Sequence, residues 1–246
     1  MRPSVFGAVV VVVLLVATAA VADPKRFEVN ADEFDPGKSF LVQGAWLSGI
    51  GCPTDATIAL PNETFTGVGG HAPFTDPACP TGDPRDTRVD GLLLVKTGPT
   101  ANFASAGAKI EGINGQSLTE LGWDIRKPES ATDPRGSHCG AGAPRWDIET
   151  KDGDFFFLGC NSPPAPVQES NGSLGWLRMR WGGSMPLEAF NAVTGALEDI
   201  TGRQIKSLSI VFDEGQDTGP DFFGAAILDN IDVNGVLVGK GATDAE

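Results

Sequence analysis

The chain has 246 residues, a hydrophobic fraction of 41% and a formal net charge of −14. That apolar content supports a real core and excludes whole-chain disorder, while the acidic excess leaves no basic surface to neutralise phosphates and so excludes a nucleic-acid binder. With 32 Gly and 18 Pro the composition excludes a helical bundle and suits strands joined by turns.

Residues 1–22 read as an export signal. Arg2 supplies the positive start, Val9 to Val16 are continuously apolar, and Ala20-Val21-Ala22 fits the small-residue cleavage site before Asp23. The apolar stretch is short for a membrane span, and no second one follows. The expectation is a secreted protein, extracellular or periplasmic, with no membrane span after signal removal. Residues 23–246 then form a single β-sandwich domain, since no shift in composition marks a boundary. In an oxidising compartment Cys52, Cys79, Cys139 and Cys160 are an even set that predicts two disulfides. Of the three pairings, Cys52–Cys79 with Cys139–Cys160 is favoured because each brackets a self-contained segment. Zinc is the alternative, with His71 and His138 nearby, but no C-x-x-C or H-x-x-x-H spacing supports it.

Strand signals recur along the mature chain, in order Phe40 to Leu47, Leu92 to Lys96, Trp123 to Arg126 and Arg145 to Glu149. Lys151-Asp-Gly-Asp154 turns the last of these into Phe155 to Leu158, an Asp-Gly hairpin whose open end Cys139 and Cys160 would staple. Leu174 to Trp181, Ile205 to Phe212 and Ala226 to Val233 follow, and Asn234-Gly235 turns into Val236 to Val238. Helical periodicity is scarce: Pro186 to Leu197 could hold a short helix, and Gly115 to Gly122 a single turn. Gly67 to Arg88 and Asn161 to Asn171 read as loops. The predicted class is all-β, a jelly-roll-type β-sandwich with long loops and at most one or two short helices, with an immunoglobulin-like sandwich second.

The segment from Ile210 to Gly235 concentrates acid: Asp213, Glu214, Asp217 and Asp221 follow one strand, and Asp229 and Asp232 lie on the next. Strict alternation puts Asp229 on one face with Ile227, Ile231 and Val233. An ionised carboxylate among apolar neighbours needs a hydrogen bond, a counter-charge or a cation, and calcium is the hard divalent ion of exported proteins. Asp229, Asp213, Asp217 and Asp221 are therefore candidate ligands, with a metal-free, hydrogen-bonded Asp229 as the alternative. The terminal strand Leu228-Asp-Asn-Ile-Asp-Val-Asn-Gly235 resembles the last strand of carbohydrate-binding modules and galactose-binding-like jelly rolls. That resemblance implies a structural calcium held by Asp229 and by acids near the first strand, where Glu28, Asp32 and Glu33 are available; Glu28 completes the expected set.

Motifs of catalysis are near misses. Asn230-x-Asp-x-Asn-Gly235 imitates an EF-hand opening, yet Gly241 stands where the bidentate Glu belongs. Asp217-Thr-Gly219 has no second copy to share a proton, and no G-x-S-x-G elbow occurs. Asp147-Ile-Glu149, on the outward face of a strand, is the nearest approach to the carboxylate pair of a glycoside hydrolase. For binding, alternation along Leu174 to Trp181 separates a core set, Leu177, Met179 and Trp181, from an outward set, Trp176, Arg178 and Arg180. An aromatic ring beside two cations is a candidate platform for a polar or anionic saccharide, with Arg126 and Arg145 at comparable outward positions; the alternative is a Trp that caps the sandwich and two Arg paired with local carboxylates. The reading is an exported, non-catalytic jelly-roll protein that binds a glycan or other extracellular ligand and carries a structural calcium. The alternatives are a structural or adhesive exported protein and a glycan-active hydrolase or lyase.

Overall fold

The computed structural model describes residues 26–53, 78–97, 103–127, 144–159, 162, 167–169, 175–213 and 223–241. In chain order the strands are Glu28–Phe34 (β1), Val42–Leu47 (β2), Gly91–Thr97 (β3), Ser105–Glu111 (β4), Glu120–Arg126 (β5), Arg145–Thr150 (β6) and Phe155–Gly159 (β7). They continue with Val167–Glu169 (β8), Trp176–Gly182 (β9), Glu188–Asn191 (β10), Leu197–Asp199 (β11), Ile205–Phe212 (β12), Phe223–Val233 (β13) and Val236–Val238 (β14). All pair antiparallel, in two sheets. The first runs β1-β4-β12-β6-β7-β10-β11, and the second β2-β3-β13-β5-β9-β8 with β14 on β13. This is the expected all-β jelly-roll sandwich, and among the described residues it contains no helix.

Period-two patterning explains the two layers. Ala106, Ala108 and Ile110 of β4, Leu208, Ile210 and Phe212 of β12, and Trp146 and Ile148 of β6 turn one face of the first sheet inward. Leu92 and Leu94 of β3, Leu121, Trp123 and Ile125 of β5, and Leu177, Met179 and Trp181 of β9 meet them from the second, so the predicted core set of β9 is in the core. At the centre Trp123 stacks on Trp146 with ring centroids 5.2 Å apart and meets Trp181 edge-on at 5.0 Å. The predicted hairpins also form. β6 pairs with β7 across the Asp152-Gly153 turn, and Val233 pairs with Val236 across Asn234-Gly235, whose φ values of 57° and 79° are those of a type I′ turn.

Three elements differ from expectation. Pro186 to Leu197 is not helical: β10 and β11 form a hairpin there, with Leu187 and Ala189 buried at period two. The Asn191 carboxamide oxygen accepts the N–H groups of Val193 and Thr194, which closes the turn a helix would have continued through. Gly115 to Gly122 likewise holds no helical turn; Ser117 bridges Gln204, and Glu120 already begins β5. β4, whose sequence Ser-Ala-Gly-Ala-Lys-Ile-Glu is not among the predicted strands, is an inner strand. Its small residues are required, because a Cβ on Gly107 would lie 2.2 Å from the Ile210 carbonyl oxygen of β12.

Cys52 and Cys79 are joined by a disulfide, Cα–Cα 6.1 Å, across a sequence separation of 27. Closing a loop of that length contributes about 3.5 kcal/mol in the chain-entropy treatment. Cys139 and Cys160, the expected second bridge, lie outside the described residues, as do residues 1–22. Among the described residues no helix is long and apolar enough to cross a membrane.

The tryptophan stack generates a direct test. Trp123→Ala is expected to destabilise the fold by about 3–5 kcal/mol in urea unfolding and to erase the near-ultraviolet circular dichroism of the coupled indoles. A loss below about 1 kcal/mol would mean that the stack is not the centre of the core.

Candidate functional site

The outward face of β9 is where sequence alternation placed a ligand platform. Trp176, Arg178 and Arg180 do share that face, opposite Arg126, Asp124 and Gly122 of β5. The face is covered, however. Trp176 is 4% exposed and packs with Cys52, Ala78 and Cys79, beneath the disulfide. The Arg178 guanidinium donates to both carboxylate oxygens of Asp124, at 2.8 and 2.9 Å, and to the Thr81 hydroxyl at 2.8 Å and its carbonyl oxygen. Arg180 pairs with Asp232 at 2.9 Å. An open stacking platform is therefore not what these three residues form. The alternative reading of the same residues describes them: Trp176 caps the sandwich and both cations pair with local carboxylates. Of the comparable outward cations, Arg126 is exposed at the rim of this sheet, and Arg145 lies on the other sheet.

Asp229 sits beside this network by way of an irregularity in β13. The β13–β5 register shifts between Asp229 and Asp232, and Asn230 has φ 44°. This bulge breaks strict alternation, so Ile231 and Val233 point into the core while Ile227 and Asp229 face outward under the covering loop. The Asp229 carboxylate accepts the N–H of Cys52 at 2.7 Å and of Asn230 at 2.5 Å. Gly51 makes the approach possible, since a Cβ there would stand 2.8 Å from the Asp229 Oδ2. Burial, followed by the charge of Asp124, holds the Asp229 carboxyl well above the ordinary carboxylate range, against the pull of the two N–H donors.

Glu28 and Asp213, both expected to share a calcium with Asp229, lie far from each other. Glu28 begins β1 opposite Glu111, whereas Asp213 follows Phe212, which is opposite Ala106 at the other end of β4. At about 3.4 Å per residue that separates them by roughly 17–20 Å. Asp213 is paired with Arg145 at 2.7 Å, Asp32 with Lys109 at 2.7 Å, and Glu33 accepts the Gly44 N–H at 3.0 Å. Asp217 and Asp221 lie outside the described residues. Among the described residues the group with metal-ligating atoms in mutual reach is Cys52, Cys79 and Asp124, and its two sulfurs are joined to each other. Each Asp229 oxygen accepts one N–H donor, which is the geometry of the hydrogen-bonded alternative for this carboxylate.

The open surface lies on the opposite sheet. The outer face of β1, β4, β12 and β6 forms a groove of about 870 Å³. Cross-strand register builds it in rows: Asp32, Gly107, Val211 and Arg145 in one, and Lys109, Ser209, Asp147 and Phe157 in the next. Its floor carries only small side chains at Ser105, Gly107, Ser207 and Ser209. The Arg145 guanidinium is held between Asp213 at 2.7 Å and Asp147 at 3.0 Å, and lies 5.5 Å from the centre of the Phe157 ring. Burial pushes the Asp147 carboxyl up, with the Arg145 charge opposing it. Phe34 and Phe103, 57% and 80% exposed, stand on the rim. Sequence reading had noted Arg145 and the Asp147-x-Glu149 alternation as outward-facing, and both acids and Arg145 are on this face. Phe34, Phe103 and Lys109 were missed, because the strands and turns that carry them gave no apolar period.

Two outcomes are expected from the buried network. Asp124→Asn leaves Arg178 out of water without its counter-charge and is expected to cost about 3–5 kcal/mol in chemical denaturation; a neutral result would mean that the pair does not hold the loop. Asp232 is pushed up to about 6, mainly by burial and against the attraction of Arg180. A folded-state value above the unfolded one means that its contribution to stability is full below about pH 4 and lost as pH rises through about 6. The melting temperature of the wild type is thus expected to fall relative to Asp232→Asn as pH is raised from about 4 to about 7, and a flat difference would contradict the shift.

No protein-family model matches the sequence, and no curated protein matches it. Two solved structures are similar in fold, both family 11 carbohydrate-binding modules of Clostridium thermocellum. One, from the cellulosomal cellulase Lic26A-Cel5E, has a TM-score of 0.36 and 9% identity, covering 86% of this chain and 88% of that one. The other, in complex with a β-1,3-1,4-mixed-linked tetrasaccharide, has a TM-score of 0.36 and 11% identity, covering 85% and 90%. The fold itself is established by the two sheets: a jelly-roll-type all-β sandwich.

Proposed function

We propose that this chain is an exported, non-catalytic β-sandwich that binds a glycan in the groove over β1, β4, β12 and β6. The observation that carries the reading is Arg145, clamped by Asp147 and Asp213 on an open, small-residue floor with Phe34 and Phe103 at its edge. A sugar chain presents hydroxyls in fixed directions and flat faces of C–H groups. Charged donors and acceptors already held in place, beside exposed aromatic rings, suit both at low entropic cost. The floor of small side chains leaves room for an extended oligosaccharide to lie across the strands. Hydrolysis by a carboxylate pair needs one acid that stays protonated at working pH. Asp147 and Asp213 are both engaged by the Arg145 guanidinium, at 3.0 and 2.7 Å, and neither is free to serve as such an acid, so the groove suits binding rather than cleavage.

Export rests on the signal-like residues 1–22, and the Cys52–Cys79 disulfide suits an oxidising compartment. Calcium belongs to the proposal through the acids Asp229, Glu28, Asp213, Asp217 and Asp221, of which Asp229 already accepts two N–H donors and Asp213 is paired with Arg145. A melting temperature lowered by EDTA and restored by calcium would support it, and an unchanged one would remove calcium from the reading.

The binding test is titration calorimetry of the chain against a panel of soluble polysaccharides that includes a β-1,3-1,4-mixed-linked glucan. At least one is expected to bind, and Arg145→Ala to weaken it by about tenfold or more, while Met185→Ala outside the groove stays within about twofold. An empty panel favours the structural or adhesive alternative, and release of reducing sugar favours the hydrolase.

A further inference from the structure

At one end of the groove lies a cation that the clamp does not use. On β3, Leu92, Leu94 and Lys96 share the inward parity, so the last of them enters the space between the sheets instead of solvent. Lys96 is 1% exposed, and it is among the residues that line the groove, with Ser105, Ala106 and Asp213. Its neighbours in the groove are already matched. Lys109 is paired with Asp32, and Arg145 with Asp147 and Asp213. Lys96 has no hydrogen-bond or salt-bridge partner among the described residues. The charge it feels is that of Asp213, whose Oδ2 accepts from Arg145. Burial pushes its ammonium down from the usual lysine range, and Asp213 pulls it back up. A desolvated ammonium with three unused donors is costly to maintain, and an anionic oxygen arriving from the groove would satisfy it.

We propose that Lys96 is the anchor for a carboxylate on the bound sugar, so that the groove takes a glycan bearing hexuronic acid units. This rests on the glycan-binding reading of the same groove. The charge of the whole chain narrows the class further. A net charge of −14 repels a densely anionic polymer, and one unpaired ammonium among the described residues of the groove matches one carboxylate. The ligand chemistry is a mostly neutral backbone with sparse uronate substituents, each carboxylate seated at Lys96 while the neutral sugars lie along Arg145 and the floor.

The test compares a glucuronate-substituted xylan with the same polymer after carboxyl reduction, by calorimetry on the full wild-type chain. The parent polymer is expected to bind about tenfold more tightly than the reduced one, and the preference to shrink at high salt. Lys96→Met is expected to abolish the preference while leaving affinity for the reduced polymer within about twofold. Equal wild-type affinity for the two polymers, or binding of neutral glucans alone, overturns the role of Lys96 and leaves the glycan reading standing. Failure of every polysaccharide in the panel to bind overturns both. Because the decisive comparison is between two ligands of the wild type, it does not depend on the variant folding.

Discussion

Arg178 and Asp124 meet across β9 and β5 in a two-pronged ion pair with both side chains withdrawn from water. Burying two charges is expensive, and the geometry answers that expense group by group. The spare donors of Arg178 reach the hydroxyl and carbonyl oxygen of Thr81, and Asp124 also accepts from the Asn230 carboxamide. The Asn230 oxygen in turn accepts the N–H of Asp83, whose carboxylate is bound by Arg85 and by the Gly239 N–H. The pair is thus the point from which the covering loop, the β13 bulge and the chain after β14 are all hung.

That arrangement makes the sandwich one-sided. Over β5 and β9 the outer face is covered by Cys52, Ala78, Cys79 and Thr81, with Trp176 packed beneath the disulfide, and its charges are spent internally. Over β4, β12 and β6 the outer face keeps its charges at the surface, where the clamp around Arg145 is held by two flanking carboxylates. The same residue types, Arg, Asp and an aromatic ring, occur on both faces, and only the open one can meet a ligand.

Much of the architecture was legible because it rests on local rules. Apolar alternation located nine of the strands, Asp152-Gly153 and Asn234-Gly235 announced their hairpins, and Cys52 found Cys79. β4 escaped because Ala, Gly and Ala carry no apolar signal, although a tight inner position between β1 and β12 demands them. The β10–β11 hairpin was mistaken for a helix because spacing over twelve residues does not register an Asn side chain capturing two N–H groups. In β13 the chemistry at Asp229 was sensed correctly as a carboxylate in need of partners. Its partners were backbone N–H groups from Cys52 and Asn230, the first of them distant in sequence.

By itself the sequence determined the all-β class, the turns, the outward parity of Trp176, Arg178 and Arg180, and the outward Arg145 and Asp147. Parity along a strand is a property of the backbone and needs no knowledge of the rest of the chain. Whether an outward face meets water was decided only by the tertiary structure, because the cover comes from a loop more than 90 residues earlier, held by Thr81 on Arg178. The same holds for Lys96: its place at the end of an apolar strand is written in the sequence, but the groove that it lines exists only where β3 and β4 are brought together.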